Sequence, residues 1–426
     1  MNGSEARGAV EAVWRMESAR IVGALARFTG DFALAEDLAQ EALAEALVSW
    51  AVNGIPSSPT GWLLTAGRRR AIDWFRRRAA RDDRYALLAR ELEPDSPGVD
   101  ALYDPQAIDD NTLALIFIAC HPVLSKPARI ALTLRVVGGL TSDEIARAFF
   151  VPVATIQARI TRAKKTLAIA RIPFAAPDPD DRAERLGAVL QVLYLIFTEG
   201  SFASSGDEWI RRDLSSEARR LARVLVRVCP EPEVFALLAL MELTAARFPA
   251  RVDTAGRPVL LEQQNRQLWD QSAIRRGRAA LERASAAGRG FGPYGLQASI
   301  AECHAVAPSV AETDWSRIVL LYEALGRLAP SPVVEVAHAV AVAMAVGPAA
   351  GLALIDEIAA RQELADTHLV PSVRGEMLLR LGRTREARQS LQRAVALCTN
   401  AVERGELERK ITEIRETEKG YQWESS

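Results

Sequence analysis

Cysteine, histidine and aromatic residues are all scarce in this chain of 426 residues. The 4 cysteines, Cys120, Cys229, Cys303 and Cys398, are scattered, and none stands in a CxxC pair. That excludes a zinc knuckle and a redox dithiol, and leaves small apolar thiols buried in a reducing compartment. His304, His338 and His368 stand apart, with no carboxylate or cysteine at ligand spacing, so structural roles are expected for them. No G-x-G-x-x-G, P-loop or H-E-x-x-H occurs, and no paired-carboxylate or nucleophile motif. Hence no catalytic residue, no metal ligand and no cofactor is expected, and the chain reads as a non-enzyme. Long apolar runs are missing as well. The most apolar stretch, Val333 to Ile355, is broken by Glu335, His338, Gly347, Pro348 and Gly351, so no membrane span is expected. Met1 to Glu5 lacks a charged-then-apolar leader, and a cytoplasmic location is expected. Alternating β-branched runs long enough for a sheet are absent too.

What is present is helical. Hydrophobic residues make up 49% and aromatics 6%, and Ala, Leu, Arg and Glu dominate. The fold expected is all-α, with more than one core for a chain of this length. Charge is balanced overall at −1 but not locally. Between Arg68 and Arg90, 9 arginines face 3 aspartates, whereas residues 91–110 hold 7 acids and no base. The boundaries read as a helical region at 1–90, an acidic linker with Pro94, Pro97, Gly98 and Pro105 at 91–110, and a second helical region at 111–172. A Pro/Asp linker follows at 173–183, then helix after helix over 184–426.

Residues 127–170 carry the sharpest pattern. A helix from Pro127 to Val137 stops at Gly138-Gly139. Thr141 and Glu144 then form a capping box, and Pro152 follows a short turn. In the next helix Ile156, Ile160, Ala163 and Leu167 share one face, predicted to be buried. Thr155, Gln157, Arg159, Thr161, Arg162, Lys164 and Lys165 occupy the others. An apolar back with a front of Arg, Lys, Gln and Thr suits the major groove, where Arg pairs with guanine, Gln with adenine and Lys with phosphates.

Upstream, Glu36, Asp37, Gln40 and Glu41 form an acidic face, opposite Leu34, Leu38, Ala42 and Ala46. Asn53 to Pro59 reads as a loop. The helix after it bears Trp62, Arg68, Arg69, Arg70, Trp74, Arg76, Arg77 and Arg78. Arginines with interleaved aromatics are what single-stranded DNA requires, although each tryptophan could equally pack in the core.

These strings resemble the sigma-70 family of RNA polymerase sigma factors, in the extracytoplasmic-function class. Leu140-Thr141-x-x-Glu144-Ile145-Ala146, Thr155-Ile156-x-x-Arg159 and Arg162-Ala163-Lys164-x-x-Leu167 are similar to its fourth region. Ala35-Glu36-Asp37-Leu38-x-Gln40-Glu41 and the Trp62-Leu63 to Arg77 segment are similar to its second region, with Gly67 where alanine is common. The resemblance implies a transcription-initiating factor that directs core polymerase to promoters. Thr155, Gln157, Arg159, Arg162, Lys164 and Lys165 would read the upstream element. Asn53, Trp62, Arg68 to Arg70, Trp74 and Arg76 to Arg78 would grip and open the downstream one. Glu36, Asp37, Gln40 and Glu41 would dock on the coiled coil of the largest polymerase subunit, with the flap as a second contact. The acidic linker would run through the RNA channel, although a merely solvated linker has the same composition. A stand-alone helix-turn-helix regulator with a protein-interaction repeat domain is the alternative reading; the acidic face separates the two.

At the C-terminal end, Gly375, Leu378, Gly382, Ala387, Leu391 and Ala394 fit one tetratricopeptide helix pair, with Pro371 in place of the usual aromatic. The segments at 315–328 and 333–346 read as a more divergent pair. An α-solenoid is therefore expected after the two small helical domains. Phrases such as "EPEVFALLALMELTAARFPARVDTAGRPVLLEQQNRQLWD" resemble the subgroup of this class with such an extension. That implies control of activity by the extension and a small DGPF-type, YCII-related protein as a partner. Glu199-Gly200 and Trp269 are motif residues there, without a chemistry of their own.

Overall fold

The computed structural model describes residues 3–79, 105–149, 151–170, 172–177, 179–201, 212–251, 253, 259, 261–286, 288, 290–362, 364–398 and 401–424. Among them every regular element is helical, and no helix is long and apolar enough to cross a membrane. The chain divides into two compact units, 1–196 with 223–229, and 197–222 with 230–426.

In the first unit, α1 (Gly3–Thr29), α2 (Phe32–Asn53) and α3 (Pro59–Ala79) pack on one another. Asp31 caps α2, its carboxylate accepting from the Ala33 and Leu34 amides, an arrangement worth about 1 kcal/mol. Their common core holds Ile21, Leu25, Trp50, Leu63 and Phe75. Each such side chain contributes about 1.5–3 kcal/mol by leaving water. Then come α4 (Pro105–Ala119), α5 (Lys126–Val136), α6 (Ser142–Ala148) and α7 (Val153–Ile169). The last three form the helix-turn-helix. The capping box is made as its letters require: Thr141 Oγ1 accepts from the Glu144 amide at 3.2 Å, and the Glu144 carboxylate accepts from the Thr141 amide at 2.8 Å.

Both proposed linkers differ from their reading in extent. α4 begins at Pro105, inside the stretch read as acidic linker, and α8 (Pro179–Ser201) begins inside the stretch read as the second linker. The reason is the same in both. Proline breaks a helix interior but is favoured at its first position, where no amide partner is lost. The acidic residues 91–104 lie outside the described residues. The first compact unit also runs on to residue 196, beyond the boundary read at 184.

In the second unit α10 (Pro232–Ala245), α11 (Gln271–Ser285), α12 (Pro293–Val306), α13 (Trp315–Leu328), α14 (Pro332–Ala345), α15 (Pro348–Arg361), α16 (Leu369–Arg380), α17 (Thr384–Leu397) and α18 (Ala401–Glu424) pack each on the next; α9 (Arg212–Val228) precedes them. Glycine permits the closest crossings. A Cβ on Gly351 would fall 2.5 Å from Ala343 Cβ, and one on Gly375 would fall 2.7 Å from Leu391 Cγ. Leu378, Ala387, Leu391 and Ala394 are buried between α16 and α17 or beside them, as their spacing predicts.

Candidate nucleic-acid interface

α7 presents the two sides its periodicity predicts. Ile156, Ile160, Ala163 and Leu167 are buried. Gln157, Thr161, Arg162 and Lys165 are exposed, and Thr155 and Arg159 are half-buried. Arg162 donates to the Ala158 carbonyl at 3.1 Å, which props its guanidinium along the helix. Lys164 departs from the others. Its ammonium leaves this front and reaches α2, 2.7 Å from Glu36 Oε2 and 2.5 Å from Asp37 Oδ1.

The α2 carboxylates are correspondingly unequal. Glu36 was expected on an exposed acidic face, but it is buried, 3% exposed, beneath Lys164 and with Arg135 Nε at 3.5 Å. Glu36 stands about 100° round the helix from Asp37, and it lies on the side where Lys164 and Arg135 reach it. Two cations make its burial tolerable, since an unpaired buried carboxylate would be strongly destabilising. Lys164 titrates higher than an ordinary lysine: burial opposes its charge, but Glu36 and Asp37 outweigh burial. Asp37 and Glu41 remain exposed, and Gln40 is half-buried.

The outward stripe of α2 continues where the sequence reading stopped. Asp37, Glu41, Ala44, Val48 and Val52 follow at helical spacing, all exposed, with Val48 70% and Val52 79% accessible. Leu47 and Ile55 lie exposed beside them. The signal was legible in the spacing, but isolated valines in a helix were not read as part of a surface. Apolar side chains next to carboxylates are what a protein partner covers.

On α3 the two arginine triplets have separate environments. Arg70 pairs with Glu41 at 2.8 Å and Glu45 at 2.9 Å, and Arg69 pairs with Glu45 at 2.5 Å. Burial pushes the Glu45 pKa up, but these arginines prevail and hold it below the ordinary value. Arg68 stands over the Phe28 ring at 4.8 Å. Arg76, Arg77 and Arg78 are exposed, with Arg78 4.9 Å above the half-buried Trp74 ring. Trp62 is half-buried and meets the buried Trp50 edge-on at 5.7 Å. Asn53 ends α2, so the loop is 54–58 rather than 53–59. The Asn53 amide donates to Ser49 Oγ at 3.3 Å. Gly67 stands where a Cβ would come 2.8 Å from Leu25 Cδ1, which accounts for the missing alanine.

The helix-turn-helix also meets α1 closely. Gly139 has φ +69°, and a Cβ there would fall 2.9 Å from Ser18 Oγ and 3.0 Å from the Trp14 carbonyl. Arg15 pairs with Glu144, so the capping carboxylate is shared between a helix start and a long-range contact.

Among the described residues of the second unit one group could hold a metal: His368, Cys398 and Glu403, whose donor atoms lie within 4.8 Å of one another. Sequence spacing missed it because the three come from separate segments. His368 Nε2 and Glu403 Oε1 are 3.0 Å apart, and this hydrogen bond, ahead of any other influence, raises the imidazole pKa. The pair satisfies itself, and three donors fall short of a closed tetrahedral site. The two motif positions of the extension have packing roles. A Cβ on Gly200 would meet the Ser215 amide at 2.4 Å. Trp269 is buried between the guanidiniums of Arg266 at 4.7 Å and Arg247 at 5.4 Å, and Asp270 caps α11.

Comparison with known proteins finds three family matches along the chain. Residues 14–81 match the family described as Sigma-70 region 2, residues 114–167 match Sigma-70, region 4, and residues 185–285 match a family of unknown function, DUF6596. An uncharacterized protein of Rhizobium meliloti (strain 1021) is 44% identical over 388 residues, which cover 90% of this chain and 90% of that protein. No solved structure matches the chain.

Proposed function

We propose, for a chain that belongs to the sigma-70 family of sigma factors, a role as an extracytoplasmic-function sigma factor working in the cytoplasm, with a tetratricopeptide-like extension that modulates it. The family role is promoter recognition and transcription initiation. Polymerase supplies the chemistry, and this chain supplies placement. The reading rests on one observation above others: a region 4 helix with a buried apolar back bears an exposed front of Gln157, Arg162 and Lys165, flanked by Thr155 and Arg159.

Each surface then has one task. Asp37, Gln40 and Glu41, extended by Val48 and Val52, dock on the coiled coil of the largest polymerase subunit, while region 4 meets the flap. The α7 front enters the major groove of the upstream element. Arg76, Arg77 and Arg78 neutralise phosphates of the parting downstream strands, and Trp74, with Trp62 and Asn53 nearby along the same region, offers a stacking surface. Arg68, Arg69 and Arg70 belong to the same helix, with Arg69 and Arg70 first having to exchange carboxylates for phosphates. A DGPF-type, YCII-related protein is a proposed partner of the extension.

Lys164 links docking to DNA reading. In the arrangement described it occupies Glu36 and Asp37, so a helix-turn-helix that is to reach DNA must first release the docking helix. Run-off transcription with core polymerase on a promoter-fragment library tests the reading. Promoter-dependent transcripts that require this chain support it. Specific DNA binding with no polymerase association would favour the stand-alone regulator.

A further inference from the structure

Three segments of the second unit meet at one point. His368 immediately precedes α16, Cys398 immediately follows α17, and Glu403 stands in the first turn of α18. A ligand nitrogen, the thiol sulfur and a carboxylate oxygen of these residues all lie within 4.8 Å of one another. Around a tetrahedral zinc ion, bonds of about 2.0–2.3 Å put neighbouring ligand atoms about 3.3–3.6 Å apart. His368 Nε2 and Glu403 Oε1, at 3.0 Å, are already near that spacing, and small side-chain rotations bring the sulfur to it.

Packing accounts for only part of Cys398. Its side chain is buried with Leu391, Ala394, Leu407 and Ile411, as a small apolar thiol would be. Nothing in that packing requires the sulfur to approach a histidine and a carboxylate. An apolar shell around such a set limits the access of bulk water to a bound ion. A second observation points to the same place. Ser372 lies one turn into α16 from His368, and its Oγ is shielded from solvent with no hydrogen-bond partner among the described residues. Ser372 lines the same hollow as Glu403. Three protein ligands leave a tetrahedral ion one open position, which water fills, and a metal-bound water is held by hydrogen-bonding neighbours.

We propose that His368, Cys398 and Glu403 bind a zinc ion, with a water in the fourth position bonded to Ser372, and that the ion clips the start of α18 to the α16–α17 pair. One sulfur, one nitrogen and one oxygen suit Zn²⁺, whereas Mg²⁺ and Ca²⁺ take oxygen ligands. The ion takes the place of the proton between His368 Nε2 and Glu403 Oε1, and the thiol releases its proton to solvent, leaving a thiolate on the metal. The proposal concerns the second unit alone and does not depend on the transcriptional reading.

The probe is Co²⁺, titrated into the reduced full-length chain. Expected are the visible absorption of four-coordinate Co²⁺ and a near-ultraviolet thiolate-to-cobalt band, both bleached by Zn²⁺ and not by Mg²⁺. Cys398→Ser should remove the thiolate band. His368→Gln and Glu403→Gln should each weaken Co²⁺ at least ~10-fold, because loss of a ligand costs no less than loss of a ligand's own partner. Zn²⁺ should also raise the melting temperature of the parent chain and not that of His368→Gln. Absence of the thiolate band in the parent would overturn the site, as would a band that survives Cys398→Ser. An unshifted melt with both bands present would refute the clip. Should Cys398→Ser fail to fold, the two variants at half-buried positions decide, and unchanged Co²⁺ affinity in both would refute the site.

Discussion

Lys164 Nζ lies 2.7 Å from Glu36 Oε2, joining helices whose residues are 128 positions apart in the sequence. The same ammonium reaches Asp37 Oδ1 at 2.5 Å. A side chain assigned to DNA thereby covers a carboxylate pair assigned to polymerase. Under the proposed function this single contact sets the two surfaces in competition, and the proposal gives opposite expectations for the two partners.

Lys164→Gln should therefore split two readouts. Binding to core polymerase should tighten several-fold, since freeing the exposed Asp37 from its contact with Lys164 is worth about 1 kcal/mol. Binding to duplex promoter DNA should weaken, with a smaller salt slope. A fluorescence titration with each partner measures both; tightening or weakening in parallel would remove the latch from the account.

The same pair has a stability consequence. Glu36 is buried, so Lys164→Met should cost about 2–3 kcal/mol, less than a wholly orphaned charge because Arg135 remains at 3.5 Å. Glu36→Gln in the same chain should restore most of that. Urea melts of the two single variants and the double variant check it; additive losses would mean that the two side chains do not interact.

Gly139 fixes the approach of the helix-turn-helix to α1. With φ +69° and a would-be Cβ 2.9 Å from Ser18 Oγ, Gly139→Ala should destabilise the first unit by about 1–3 kcal/mol. A shift in the urea midpoint without a change of slope is the expected observation. An unchanged midpoint would show that this contact is not made in solution.

Much of this was legible in the sequence, for definite reasons. The buried and open faces of α7 follow from helical periodicity, and the Thr141–Glu144 box follows from two side chains three residues apart. Both are local. Glu36 was not legible: nothing in Glu36-Asp37-x-x-Gln40-Glu41 says which acid turns inward, because the answer depends on Lys164 and Arg135 far along the chain. Arg69 and Arg70 were read as free cations for the same reason, their partners Glu41 and Glu45 lying on another helix. Pro105 and Pro179 misled in a different way, since proline signals a linker and a helix start alike.

Arginines that already hold carboxylates should matter less for DNA than exposed ones. Arg162→Ala and Lys165→Ala should each lower the salt slope of duplex binding by about 1, whereas Arg70→Ala should leave it nearly unchanged. Affinity measured at three salt concentrations checks this. Equal effects at all three positions would show that phosphates displace Glu41 and Glu45 from Arg70.

Acid should weaken the second unit through His304. Burial first, then Arg247 and Arg266, bring its pKa from 6.5 to about 4, and the ring meets Trp315 edge-on at 5.2 Å. Between those two values the unfolded chain holds a proton that the folded chain refuses. Stability therefore rises with pH across the window and is lost on acidification from about 6.5 towards 4, by up to about 3 kcal/mol. His304→Phe should flatten that slope in denaturant melts at pH 7, 6 and 5. His368, raised by Glu403, acts in the opposite sense, so the difference between variant and parent is the informative quantity.

The central claim is that carboxylates of α2 bring this chain to polymerase so that α7 can read DNA. Its most direct measurement is the association of purified full-length chain with core polymerase free of any other sigma factor, for the parent and for Asp37→Lys. The account predicts a stable complex for the parent and weakened binding for the variant. A parent chain that fails to associate, with its fold and DNA affinity intact, would contradict it.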